Sequence, residues 1–173
     1  MKIKPDEFRF RVCGASDLPD ILALQEAAFA VLPDAQILRR NSEEMLRECL
    51  EAPNYTIGAW YGDRLAACSV LYFPHDREEE LSVYLSEFSD LTPSANYKLC
   101  IVHPDFRGNS LQFHMGRMLQ EYAEAQGVRL LCCTVSPENQ YSIANIERLG
   151  FTRGSTIFKY GFTRHLYYRI LNG

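Results

Sequence analysis

The sequence predicts a mixed α/β fold of the α+β kind: a central sheet of about six to seven strands flanked by helices. Three observations carry this. From Tyr97 onward the apolar patterning runs strand, turn, helix, strand, helix, strand. "VRLLCCTV" is a continuous apolar run, which marks a central strand covered on both faces. "YTIGAWYGDRLAACSVLYF" holds two β-rich runs joined at Gly62-Asp63, a hairpin pattern.

The elements follow in chain order. "FRFRVC", residues 8–13, alternates and reads as the first strand. Ser16 or Asp17 can cap a helix with Ile21, Leu24, Ala28 and Phe29 on one side, and Pro33-Asp34 breaks it. A second helix is expected over residues 42–50, with Met45, Leu46 and Cys49 as its apolar stripe. The hairpin strands cover residues 55–60 and 65–73.

Residues 74–96 form a connection too long to be a plain loop, so they carry structure or function. Leu81, Tyr84, Leu85 and Phe88 are spaced i, i+3, i+4, i+7, which predicts an inserted helix over residues 78–88.

Next come a strand at 97–102 and a helix at 110–126 that buries Leu111, Met115, Met118, Leu119 and Tyr122 and ends at Gly127. The apolar strand "VRLLCCTV" precedes a short helix capped by Ser136 or Asn139. Two aromatic-rich strands close the chain.

Composition limits the function classes. The 173 residues are the size of one domain, expected to span 1–173. A net charge of -4 makes nucleic acid an unsuitable main partner. No run of about 18 apolar residues is present, so no membrane span is expected. "MKIKPDEFRF" lacks the apolar stretch of a signal peptide. None of the six cysteines falls in a zinc-type double pair, so no metal site is expected. Their apolar neighbours point to buried, reduced thiols and a cytoplasmic location, with Cys100 the candidate for a reactive one.

"HPDFRGNSLQ" is the stretch that carries chemistry. It joins an apolar strand to an amphipathic helix. Unpaired N–H groups at such a helix start converge, and the helix dipole adds about half a positive charge there. The pattern fits an anion site, or an ordinary turn entering an ordinary helix. Neither G-x-x-x-x-G-K-[ST] nor G-x-G-x-x-G is present.

"IVHPDFRGNSLQFHMGRML" resembles the acetyl-CoA signature of the GNAT superfamily of N-acetyltransferases, in which Arg-Gly-x-Gly-x-Gly or Ala opens a helix after an apolar strand. "SPENQYSIANIERLGF" is similar to the second family motif, an Asn before a short helix ending in Gly-Phe. The resemblance runs from Phe8 to Leu171 and is sharpest from Tyr97 to Phe151.

It implies a splayed sheet that holds acetyl-CoA as cosubstrate. The pantetheine arm would pair with backbone groups around Cys100, Ile101 and Val102. The pyrophosphate would sit on the N–H groups of Arg107, Gly108, Asn109, Ser110, Leu111 and Gln112. Asn139 matches the family asparagine that bonds the pantetheine arm, and the Val102 N–H matches the donor to the thioester oxygen.

The chain departs from the family at four places. Ser110 and Gln112 stand where the second and third glycines would be. Ile146 stands where many members carry a tyrosine that protonates the departing thiolate. Tyr141 lies about 140° away around the same helix. Asn96 and Lys98 stand where a carboxylate is common.

The implied reaction is direct transfer of acetyl from acetyl-CoA to a primary amine in a ternary complex. The acceptor would be a small molecule or a peptide. Glu87, Asp90, Tyr97 and His103 are the candidates for deprotonating it, directly or through water. Glu87 and Asp90 belong to an acidic run that would also attract a cationic amine, and the inserted helix would gate the acceptor side. The alternative is a catalytically silent GNAT fold that binds acyl-CoA as a sensor or interaction module. A homodimer is compatible with either.

Overall fold

The computed structural model describes residues 1–172, and among them seven strands and four α-helices build the fold. They run β1 (Arg9–Val12), α1 (Leu18–Ala30), α2 (Glu43–Cys49), β2 (Tyr55–Tyr61), β3 (Arg64–Tyr72), β4 (Ser94–Val102), α3 (Leu111–Ala125), β5 (Leu130–Val135), α4 (Gln140–Arg148), β6 (Thr152–Lys159) and β7 (Phe162–Ile170). The sheet order is β1-β2-β3-β4-β5-β7-β6. Among the described residues, only β4 and β5 pair in parallel, because α3 connects them as a crossover; the other pairs are antiparallel.

Apart from the inserted helix, the expected elements are present, with small shifts at their ends. Asn139 is the cap of α4, accepting from Ser142 N at 3.0 Å. Ser42 caps α2 through Met45 N at 3.1 Å. Asp17 precedes α1, but its carboxylate accepts from Arg11 and from Gly14 N instead of from the helix.

Both faces of the sheet are covered. One carries α3 and α4, whose Leu111, Met115, Leu119 and Ile146 pack on Ala95, Leu131, Cys133 and Tyr167. The other carries α1 and α2, whose Ile21, Leu24, Ala28 and Leu46 pack on Cys68, Val70, Leu99 and Ile101. Gly116 lets α3 approach closely, since a Cβ there would stand 2.5 Å from Leu149 Cδ1.

The inserted helix at 78–88 is absent, and two 3₁₀ turns, Leu81–Tyr84 and Ser86–Phe88, take its place. The cause lies at Glu79. Its N–H donates to Asp76 Oδ1 (2.8 Å), and its carbonyl accepts from Asn96 Nδ2 (2.6 Å). The carbonyl, which a helix would turn to the N–H of residue 83, is taken from outside by Asn96; the N–H lies in the first turn, where a helix offers it no partner in any case. The apolar spacing still buries Leu81 and Leu85 against Leu130, Cys132 and Leu166. Tyr84 remains exposed. The register partner Asn96↔Cys132 places this cluster on the α1/α2 face.

β4 and β5 pair only from Ser94↔Leu130 to Asn96↔Cys132, while both strands run on to Val102 and Val135. The sheet opens there. The β3–β4 register also skips Lys98, passing from Val70↔Leu99 to Leu71↔Tyr97, so β4 carries a bulge at the mouth of the opening.

Candidate functional site

The opening is a cavity of about 540 Å³. Its walls include Cys100, Ile101 and Val102 of β4, Cys133 to Val135 of β5, and Asn139 with Ile146 from the α4 region. The β4 edge facing it is free. His103 donates its N–H to Ala66 O of β3 at 2.8 Å. Successive residues turn their backbone groups to opposite edges, so Val102 and Cys100 present theirs to the gap.

At its far end β4 enters a 3₁₀ turn, Pro104–Phe106, and then residues 107–110. Gly108 has φ +82° and Ser110 has φ +57°, both left-handed. That path is free for glycine and costs a serine about 1–3 kcal/mol. It explains why the resembling motif favours glycine at the Ser110 position. Among the described residues, the N–H groups of 108–113 donate to no backbone carbonyl, and α3's ladder begins with His114 N to Ser110 O. These donors, the left-handed turn and the open strand edge fit a nucleotide-bearing acyl thioester. A pyrophosphate needs convergent donors, and an extended amide arm needs a strand edge.

The sequence-predicted cofactor residues divide. Cys100, Ile101, Val102, Arg107, Gln112 and Asn139 line the cavity. Leu111 is buried in the core, where it anchors the start of α3. The Asn109 side chain serves the fold: Oδ1 accepts from Ile3 N (2.8 Å), and Nδ2 reaches Met1 O (3.2 Å) and Phe106 O (2.9 Å). Gln112 Nε2 donates to Ser142 Oγ (3.1 Å) and ties α3 to α4. Asn139 spends Oδ1 on the α4 cap, and its Nδ2 is 3.4 Å from Ile37 O.

The candidates for proton transfer divide more sharply. Glu87 and Asp90 are exposed and do not line the cavity. His103 sits beside the turn, where Nδ1 accepts from Asp105 N (3.1 Å). Tyr97 lines the cavity, and its buried hydroxyl finds no partner. Burial pushes that hydroxyl well above the ordinary tyrosine pKa. Burial likewise pushes the Cys100 thiol up to about 12, so it is no ready nucleophile. Ile146 is buried and presents its side chain to the cavity wall.

Sequence reasoning missed a charged cluster at the bulge. Glu79, from the connection before the first 3₁₀ turn, accepts from Arg39 Nη2 (3.0 Å) and Nη1 (3.3 Å), Lys98 Nζ (2.7 Å) and the Tyr160 hydroxyl (3.3 Å). Burial pushes its carboxyl up, but the bonds from Arg39 and Lys98 outweigh that and hold it at about 2. The Arg39 guanidinium lies 3.5 Å over the Tyr160 ring. Arg164 of β7 lines the same cavity at 4% exposure, and its Nε and Nη2 have no partner. One signal could have found it. In "FTRHLYYRI", Arg164 shares the inward parity of Leu166, a strange place for a lone cation.

Among the described residues, no group of three or more His, Cys, Asp and Glu side chains could hold a metal ion. Among them, no helix is long and apolar enough to cross a membrane.

The profile of the Acetyltransferase (GNAT) family matches residues 20–151. No curated protein matches the chain in sequence. Among solved structures, yncA of Salmonella typhimurium, determined with acetyl-CoA, is similar at TM-score 0.72 and 17% identity, covering 96% of this chain and 95% of that one. The ribosomal-protein-S18-alanine N-acetyltransferase of Escherichia coli is similar at TM-score 0.72 and 18% identity, covering 96% of each chain. The ribosomal-protein-alanine N-acetyltransferase of Brucella melitensis is similar at TM-score 0.71 and 19% identity, covering 94% of this chain and 99% of that one.

Proposed function

The chain belongs to the GNAT family of acetyltransferases, and from that premise we propose that it transfers acetyl from acetyl-CoA to a primary amine by direct attack in a ternary complex. The observation that carries this is the join of two features in one place. An unpaired β4 edge runs straight into a turn whose N–H groups at 108–113 have no backbone acceptor.

Acetyl-CoA supplies the acyl group as an activated thioester. The N–H groups of the turn hold its pyrophosphate, with Arg107 beside them adding charge. The exposed backbone groups of Cys100 and Val102 align its extended arm. The Val102 N–H serves as the donor to the carbonyl oxygen as negative charge builds there.

The acceptor nitrogen must first be neutral. Its lone pair then forms the C–N bond at the carbonyl carbon, the C–S bond breaks, and sulfur departs with the electron pair of the broken bond. The proton shed by nitrogen leaves through water, and one proton ends on sulfur. Glu87 and Asp90 stand outside the cavity wall, so water rather than either carboxylate touches the amine. With Ile146 on the wall, that helix offers no hydroxyl at this position to the sulfur.

The silent, sensor-like alternative is not favoured by the family or by its structural neighbours. A thiol-release assay with acetyl-CoA and a library of primary amines tests the proposal, with the acetylated product identified by mass. Turnover with at least one amine is expected. Binding of acetyl-CoA without release against the whole library would contradict it.

A further inference from the structure

We propose that the acceptor amine carries a carboxylate and that Arg164 receives it, which makes the substrate a small amino acid rather than a polyamine or a lysine-rich chain. The inference rests on the transferase reading above and gives its second substrate a chemical class.

Charge is shared unevenly around the β4 bulge. Four cations line the cavity; Arg107 lies by the turn, and the other three are Arg39, Lys98 and Arg164. One carboxylate, Glu79, serves them from behind the wall. Arg39 takes both of its oxygens, and Lys98 and Tyr160 share the second. None of these bonds goes to Arg164, and among the described residues no carboxylate pairs with it.

A buried guanidinium without an anion is costly, because removing an ion from water costs several kcal/mol unless geometry and hydrogen bonds repay it. Arg39 nearby adds repulsion. The Phe162 ring, 5.6 Å from the Arg164 guanidinium carbon, offers only a weak cation–π contact. A buried cation of this kind, on the wall of the cavity that holds the free β4 edge, is suited to an anion brought by a ligand.

Three points narrow the anion to the acceptor's carboxylate. The phosphates of the cosubstrate already have donors at the turn. A guanidinium fork matches a carboxylate in two parallel bonds. The surrounding positive charge disfavours a multiply cationic amine, as like charges brought together in a low-dielectric cavity repel.

The test uses the full chain. Calorimetry with acetyl-CoA comes first, because its failure would remove the transferase reading and not this inference alone. Initial rates are then measured for the twenty amino acids, β-alanine, the matching amino-acid amides, phosphoethanolamine and spermidine.

At least one amino acid is expected to be used, with kcat/KM roughly tenfold or more above that of its own amide, the size of a charge-assisted hydrogen bond. Arg164→Gln should raise KM for that acid by a similar factor. It should leave its amide and the KM for acetyl-CoA unchanged, and Arg164→Lys should restore part of the loss. The acid–amide comparison needs no variant, so misfolding of a substituted chain cannot hide the answer. Equal use of acid and amide, preference for spermidine or phosphoethanolamine, or no response to any amino acid by a chain that binds acetyl-CoA would overturn the proposal.

Discussion

Lys98 Nζ stands 2.7 Å from Glu79 Oε2, and the two side chains are only 3% and 9% exposed. The pair joins β4 to a segment 19 residues earlier in the chain. The two partners do not shift symmetrically. Burial pushes Lys98 down, and the pull from Glu79 only partly offsets it. Glu79 is held at about 2 because Arg39 and Lys98 together overcome its burial.

The sign of the pH effect follows. Folding lowers the Glu79 pKa from an unfolded value of about 4.3, so folding favours the carboxylate. The stabilisation is complete above about pH 4.3 and is lost as pH falls toward 2, a change on the order of 3 kcal/mol. Urea unfolding from pH 6 to pH 2 should show that loss in the wild type. Glu79→Gln should be less stable at pH 6 by about 3–5 kcal/mol, because two buried cations lose their counter-ion. Its curve should also be flatter below pH 4.3. A parallel pair of curves would show that the cluster does not govern acid stability.

Ile146 sets the second expectation. No hydroxyl stands at that position to protonate the departing thiolate, whose pKa lies near the cysteine value of about 8.5. The rate of transfer should rise with pH as the amine deprotonates, without a falling limb at the ordinary tyrosine value of about 10. Ile146→Tyr should leave acetyl-CoA affinity intact and raise turnover modestly. It should also cost about 1–3 kcal/mol for overpacking a buried site. A wild-type limb that falls above pH 9 and disappears in Tyr97→Phe or Tyr141→Phe would name another acid.

The fold was largely legible because its signals are local. Alternation in "FRFRVC", the Gly62-Asp63 turn and the apolar run before Ser136 each depend on neighbours in sequence, and each sits where its pattern says. The strand–turn–helix at 97–126 was equally readable, and the β4–β5 opening was legible only through the family resemblance. The helix at 78–88 failed because local periodicity cannot see Asn96, which takes the Glu79 carbonyl from a strand 17 residues on. The charged cluster was out of reach for the same reason. Arg39, Glu79, Lys98, Tyr160 and Arg164 come from separate segments, and only the tertiary fold unites them.

The segment that replaced the helix still has a testable role. Leu81 lines the cavity and is buried, whereas Phe88 packs half-buried on Tyr168 with ring centroids 4.9 Å apart. Leu81→Ala should cost about 2–5 kcal/mol and raise the acceptor KM more than the acetyl-CoA KM. Phe88→Ala should cost less and leave both KM values near wild type. If Phe88→Ala changes acceptor use as strongly as Leu81→Ala, the wall of the acceptor side extends further along this segment than the cavity does.

The most direct measurement is a calorimetric and thermal-melting titration of the wild type and Gly108→Pro with acetyl-CoA. Gly108 has φ +82°, which a proline ring fixed near −65° cannot adopt, and proline also removes the N–H. The Gly108 N–H is one of the donors without a backbone acceptor. The wild type should bind acetyl-CoA and gain about 2.7 kcal/mol of stability at 100 times its dissociation constant. Gly108→Pro, with a native near-ultraviolet circular dichroism spectrum, should show neither binding nor gain. A wild type whose melting is unmoved by millimolar acetyl-CoA, or a folded Gly108→Pro that binds it as well as the wild type, would contradict the account.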